Sequence, residues 1–578
     1  MKARGARMDA ARSGSFGAAC LGALLGAAAC HSAPKDGPGP SATTLAAVAP
    51  PSALIAEGVL ATPDLTWQRL QRGGGGGAGL LPTTLGGLLA GALGFDAKLG
   101  GEIEGGSPAY VVIAGDAASP SWLLAARLVE DRRARPLFEG KGAIFVAHDA
   151  GGDVLSLSAP GKPPPHGLAC GIAPGGWFVF ASSIAALGEL APYATRTLPS
   201  KLGAGHESVG IDVARSAIEG SVASALSSAW DAAQRSMLAN DEALRQAHGG
   251  RAPDYGDPRA IMTTADAWVQ KRLAALRDVE GAHVGADVTE GDVRVTFTAA
   301  PATDAGPASI VLGALQPGDV APLGRLPRET LAGLLTREPA AAHAQDAADL
   351  EATVTSTLGA RLSLDEQRRL HAAIDDWAEA RGEWATFGVA FTPTDRAAVV
   401  DIQATDAPRL ARSVRESVDL FARVPAIHEP LAAWLHARSV AIGAAPIPGG
   451  GHASTATLST EARPLVLAWT SNGVSGPDAD VKLSLGTAPL PFLAPALPGT
   501  TLADDPELRA LFASLGPVAG AVVVQPQRLP GCVATGGAVV AWGTRPSSPG
   551  AASGSKDALW ATLAASDSSL RCLVKSFF

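Results

Sequence analysis

The sequence predicts an α+β fold of two lobes, each a mainly antiparallel sheet covered by helices. Three observations carry this expectation. Short β-rich runs recur with turn residues between them; stretches with a 3.6-residue apolar period are interspersed without strict strand–helix alternation; and 578 residues exceed the size at which a single core stops growing. Hydrophobic residues make up 47% of the chain and charged residues 17%, with a mean hydropathy of +0.17, enough apolar surface to offset the ordering entropy of a packed fold. Aromatics are only 5%, so Ala, Val and Leu should fill the cores around a few Trp anchors.

The first lobe is expected over residues 53–300. Thr62-Pro63-Asp64 opens a short helix carrying Leu65, Trp67 and Leu70, and Pro82 opens another with Leu85, Leu88, Leu89 and Leu93. Strands follow at 109–114, 143–147, 154–158 and 177–181, with Asp149-Ala150-Gly151-Gly152-Asp153 suited to a hairpin. From about Arg215 to Leu238, Ile218, Val222, Leu226, Trp230, Ala233 and Met237 recur at helical spacing, which predicts one buried face. Asp257-Pro258 caps a second long helix, so the helices occupy about 215–278, and a hairpin turning at Glu290-Gly291 closes the lobe.

A stretch rich in Pro, Ala and Asp around 300–307 separates this from a second lobe over 308–578. Ser363-Leu364-Asp365-Glu366 is a capping box starting a helix striped by Leu370, Ile374 and Trp377. Strands at 384–391 and 397–402 lead to a helix from Asp406, then strands at 439–444, 455–459, 464–469, 481–485 and 520–524. Asp504-Asp505-Pro506 starts a helix with Leu508, Leu511 and Phe512. The second half repeats the style of the first without a residue-level repeat.

The N-terminus carries the most specific signal. Lys2, Arg4, Arg7 and Arg12 precede an uncharged Ala/Leu/Gly run from Phe16 to Ala29, too short to span a bilayer and ending in small residues, as in a secretory leader over residues 1–29. The string Leu25-Gly26-Ala27-Ala28-Ala29-Cys30 resembles the lipobox of bacterial lipoprotein precursors, although Ala27 stands where that family prefers Leu, Val or Ile. The resemblance implies lipidation of Cys30, cleavage before it and a cell-envelope address. His31 rather than Asp after the cysteine is similar to the class destined for the outer membrane. Residues 30–52, rich in Pro, Gly, Ser and Ala, suit a tether. The body also resembles, loosely and with no diagnostic motif, uncharacterised exported proteins of GC-rich bacteria.

The net charge is −9; a leader carrying off four basic residues and one acidic residue leaves −12. That balance repels phosphate backbones, so nucleic-acid partners are not expected. Of five cysteines, Cys20 lies in the leader and Cys30 is the lipidation candidate. Cys532 and Cys572 are a possible disulfide, and Cys170 reads as a small buried strand residue.

Motifs that could carry chemistry fail on context. The glycines of 73–79 contain G-x-G-x-x-G, but a polar helical end precedes them rather than a strand. Gly87-x-x-x-Gly91 lies in an uncharged stretch broken by Pro82 and glycines, which favours a packed helix over a membrane span. Ser553-Gly554-Ser555-Lys556 sits in a Ser/Gly/Pro linker. His428-Glu429 lacks the second His four residues on, where Ala432 stands, and His436 is eight away. No cofactor, metal or catalytic residue is therefore expected. The sequence suggests non-catalytic binding or scaffolding at a membrane surface, with a carrier of apolar ligands, or a hydrolase whose site assembles from distant residues, as the alternatives.

Overall fold

The computed structural model describes residues 45–74, 82–93, 95–116, 119–134, 146–149, 154–158, 168–203, 207–247, 258–358, 361–391, 396–428, 437–460, 463–495, 497–529, 532, 537–546, 557–566, 569 and 572. The fold is α+β, with antiparallel strand pairing in every register assigned. The leader, Cys30, the tether up to Thr44, the glycines after Gly74, Glu429, His436 and the Ser553–Lys556 stretch lie outside the described residues. The chain divides into two compact units, residues 1–217 with 282–296 and residues 218–281 with 297–578; residues 300–307 belong to the second.

In the first unit the strands are β1 (Leu54–Leu60), β2 (Ala109–Asp116), β3 (Ser119–Arg127), β4 (Val146–Asp149), β5 (Val154–Ser158), β6 (Leu168–Ala173), β7 (Trp177–Ala181) and β8 (Val209–Ala214). They pair in the order β4-β5-β6-β7-β3-β2-β1-β8. Side chains alternate between two cores. Leu123 and Ala125 of β3 join one with Val112 and Val179, while Ala126 joins the other with Leu85 and Phe178. Helices α1 (Pro63–Gly74), α2 (Leu85–Leu93) and α3 (Leu99–Glu102) lie between β1 and β2 in the chain. Gly87 and Gly100 let α2 and α3 touch backbone to backbone: a Cβ on Gly100 would stand 2.5 Å from the Gly87 nitrogen. Among the described residues no helix is long and apolar enough to cross a membrane. Helix α4 (Ile184–Arg196), capped by the Ser183 hydroxyl on the Ala186 N–H, buries Leu190, Tyr193 and Ala194 between β7 and β8 in chain order.

Between the last of these strands and a hairpin of β9 (Val279–Val288) and β10 (Asp292–Pro301) come two long helices of the second unit, α5 (Ala223–Ala247) and α6 (Pro258–Arg277). The expected buried face of α5 is a correction. Ala223 is buried, but Leu226 is 50% and Met237 53% exposed. Trp230 and Gln234 of α5 instead hydrogen bond Asp266 of α6 at 2.8 and 3.2 Å, so a polar clasp joins an Ala/Ser-rich helix to an Ala-rich one, and their small side chains cover little. The expected linker at 300–307 is also narrower than its composition suggests, because β10 runs to Pro301 and a helix starts at Pro307.

The second unit continues with β11 (Thr330–Arg337), α7 (Ala340–Leu358), α8 (Leu364–Ala380), β12 (Arg381–Phe391), β13 (Arg396–Asp406), α9 (Ala407–Arg423), β14 (Ala437–Pro446), β15 (His452–Thr460), β16 (Leu465–Ser471) and β17 (Ser475–Gly486). Helix α10 (Pro506–Leu515), β18 (Gly520–Val524), β19 (Ala538–Pro546) and β20 (Asp557–Ser566) complete it. The capping box at Ser363 and the Asp406 and Asp505 caps form as expected. Gly516, at φ 70°, ends α10 in a conformation that Cβ-bearing residues avoid.

Strand order in this unit is β14-β15-β16-β17-β13-β12-β11-β18-β19-β20. Its first eight strands repeat the order of the first unit, each label raised by ten. Helices fall between β11 and β12, and between β17 and β18, as they do between β1 and β2 and between β7 and β8. One winding pattern is thus used twice, with no matching run of residues to announce it.

Candidate functional site

Strand β13 reads Arg-Ala-Ala-Val-Val-Asp-Ile-Gln-Ala-Thr-Asp, and its period-two alternation sends Ala397 and Val399 to one core and Ile402 and Ala404 to the other. Asp401 stands on the Val399 side, where an apolar residue would be expected, and is 4% exposed. It faces Thr386 of β12 on one side and Lys482 of β17 on the other. β3 and β7, which hold the corresponding places in the first unit, contain no acidic residue.

Two cations surround this carboxyl. Arg325 Nε lies 3.2 Å from Asp401 Oδ2, while the same guanidinium also pairs with Asp480 and stacks 5.1 Å from the Trp384 ring centre. Asp401 Oδ1 has no hydrogen-bond partner among the described residues. Burial lifts the Asp401 carboxyl to about 6, with Asp480 pushing in the same direction and Arg325 and Lys482 opposing. Ser484, two residues beyond Lys482 and opposite Val399, is fully buried, and its Oγ also lacks a partner among the described residues.

Asp401 lines a cleft of about 330 Å³. Its apolar walls come from Leu326, Val399, Phe492, Pro495 and Leu497, and Lys482 and Glu329 add the remaining charges. The wall built by residues 491–495 and 497–501 is held in place by backbone bonds from Leu502 N to Leu326 O at 2.9 Å and from Arg328 N to Thr500 O at 2.8 Å. An apolar pocket with a few convergent polar groups, one of them a displaced acid, is the usual form of a small-molecule site.

A second cleft, of about 550 Å³, lies in the first unit and is lined by Arg69, Glu207, Ser208, Asp287 and Arg294 among others. Much of its polarity is consumed internally. Arg69 donates to Val288 O at 2.8 Å, and Val288 N donates to the Ser208 hydroxyl at 3.2 Å. Glu207 is held by His283, whose Nε2 and Nδ1 lie 2.8 Å from Glu207 and 2.7 Å from Asp212. The two carboxylates raise the His283 imidazole to about 9, Asp212 contributing most. With both ring nitrogens engaged, this histidine is a structural clamp rather than a free base or ligand.

The residues singled out from sequence do not assemble here. Cys532 and Cys572 are joined as a disulfide with Cα atoms 5.7 Å apart. Cys170 is a free, fully buried thiol in β6, pushed up to about 12 by desolvation. His428 packs beside Phe421, ring centres 5.7 Å apart. Among the described residues no group of three or more His, Cys, Asp or Glu is placed to hold a metal. Asp401, Arg325 and Lys482 were not recognised from sequence. The one signal they offered was an acid at an inward position of an otherwise Ala/Val strand. No family model, curated protein or solved structure matches this chain, so the geometry of its own residues carries the functional reading.

Proposed function

We propose that this chain is a two-lobed lipoprotein of a bacterial cell envelope, tethered through Cys30, whose body binds a small ligand with an apolar body in the cleft around Asp401 and performs no catalysis. The carrying observation is the buried Asp401 Oδ1 without a hydrogen bond at an apolar-walled cleft, because an unsatisfied buried acceptor costs ~1–3 kcal/mol unless a partner arrives. The basic, apolar and small-residue pattern before Cys30 supports the address, and the Cys532–Cys572 bond fits a compartment that permits oxidation. An environment-sensitive apolar dye tests the cleft: one equivalent should bind the native chain and none should bind Ala494→Trp, which fills the wall. Equal binding to both would end this reading.

Scaffolding at the membrane surface is a second reading with its own observation. Leu226, Met237 and Trp268 on α5 and α6 are 50%, 53% and 60% exposed, and apolar surface of this kind is what a partner covers. The combined Leu226→Gln and Trp268→Gln variant should lose that partner while leaving dye binding in the cleft intact.

A further inference from the structure

Charge and hydrogen-bonding capacity around Asp401 narrow the class of ligand. Arg325 is shared between Asp480, Asp401 and the Trp384 face, which leaves it little capacity for a newcomer. Lys482, directly across from Asp401 in the strand register, has no ion pair within 4.0 Å among the described residues. Among the described residues the cleft therefore presents one carboxyl oxygen lacking a hydrogen-bond partner and one cation lacking an anion, side by side on neighbouring strands. An ammonium ligand would satisfy that oxygen when Asp401 is ionised, but would meet Arg325 and Lys482 as like charges. An alcohol would satisfy it and leave Lys482 without an anion.

Resting on the ligand-binding reading above, we propose that the cleft takes a carboxylic acid with an apolar tail, its carboxylate accepting a hydrogen bond from protonated Asp401 and an ion pair from Lys482. The tail lies along Leu326, Val399, Phe492 and Pro495. The proton on Asp401 comes from solvent, so binding of the ligand anion by protein with ionised Asp401 takes up one proton, and no covalent bond forms or breaks. The charged groups near Asp401 are Arg325 at the end of a short helix, Lys482 and Asp480 on β17, and Glu329 before β11, which lines the same cleft. The elevated carboxyl of Asp401 suits this exchange, because its proton is retained into the range in which small carboxylic acids are ionised. At roughly 30 Å³ per heavy atom, using the liquid volume of water as a guide, the cleft holds about a dozen such atoms.

Titration calorimetry of the full chain with decanoate, decanol and decylamine, each below its micellar concentration, tests the assignment at pH 5.5 and 8.0. Decanoate should bind at one site and at least tenfold more tightly at pH 5.5. Runs in buffers of different ionisation enthalpy near pH 7 should report uptake of close to one proton. Asp401→Asn should abolish that uptake, and Lys482→Gln should weaken decanoate at least tenfold while leaving decanol unchanged. Circular dichroism melts check that both variants fold. Preference for decylamine or decanol, with sensitivity to Asp401→Asn, would keep the cleft as a binding site and overturn the acid assignment. Binding of none of the three, together with loss of the dye signal, would overturn both.

Discussion

Replacing Asp401 by Asn should make stability less dependent on pH, in a direction opposite to that of an ordinary ion-paired acid. The native carboxyl is raised from 3.8 to about 6, chiefly by desolvation, at a residue 4% exposed. Between those values the folded protein holds the proton more firmly than the unfolded chain. Stability is thus fully present below about pH 4 and declines as pH rises through about 6. At 1.36 kcal/mol per pKa unit, ionising Asp401 costs the folded state roughly 3 kcal/mol by pH 7.5. The Asn variant loses this dependence. Its stability relative to the native chain should therefore climb by up to ~3 kcal/mol between pH 4 and pH 7.5, whatever offset the lost Arg325 contact imposes at every pH. Thermal melts of both proteins across that window supply the difference. A native-minus-variant difference that stays flat, or changes in the opposite sense, would show that Asp401 ionises as freely when folded as when unfolded.

Other outcomes follow from named contacts. Tyr193 donates to Glu57 Oε2 at 2.6 Å, and Glu57 is 3% exposed, so Tyr193→Phe should cost about 1.5–3 kcal/mol in the first unit, read by thermal or denaturant melts. The His283 clamp works with the same pH sign as Asp401, in a higher window. Its imidazole is raised from 6.5 to about 9, so its contribution is complete below about pH 6.5 and disappears as pH passes about 9. Because the side chain is 37% exposed, solvent screening reduces it to about 1 kcal/mol, and His283→Gln should destabilise at pH 6 but scarcely at pH 10. Reducing the Cys532–Cys572 bond, which spans 40 residues, should lower stability by about 4 kcal/mol on the loop-entropy model, and Cys532→Ser should reproduce the loss in the absence of reductant. Cys30→Ser should move the protein from the membrane fraction to the soluble fraction, with mass spectrometry of the N-terminal peptide confirming the absence of fatty acyl chains.

Local structure was largely legible because it is written in short-range chemistry. Trp177–Ala181 is an uninterrupted apolar β-rich run, Ser363 and Glu366 satisfy each other's backbone donors, and Asp406 and Asp505 cap the helices they precede. None of these requires knowledge of distant residues. The α5 stripe misled for a related reason: a 3.6-residue period establishes that a helix has an apolar face, but burial depends on what lies opposite. The described neighbour α6 meets it through Asp266.

By itself the amino-acid order determined the α+β class, the places of most helices and strands, and the basic and apolar leader pattern before Cys30. Which strand lies beside which was decided only in three dimensions. β7 comes to pair with β3 and β17 with β13 across intervening chain, so the doubled strand order is invisible to any local pattern. The candidate site arises from the same long-range pairing. Asp401 and Lys482 lie far apart in sequence, yet register places them face to face, and Arg325 reaches them from a third segment. Side-chain type sets what a residue can do, but desolvation and the nearness of charge, which make Asp401 unusual, exist only once the sheet has formed.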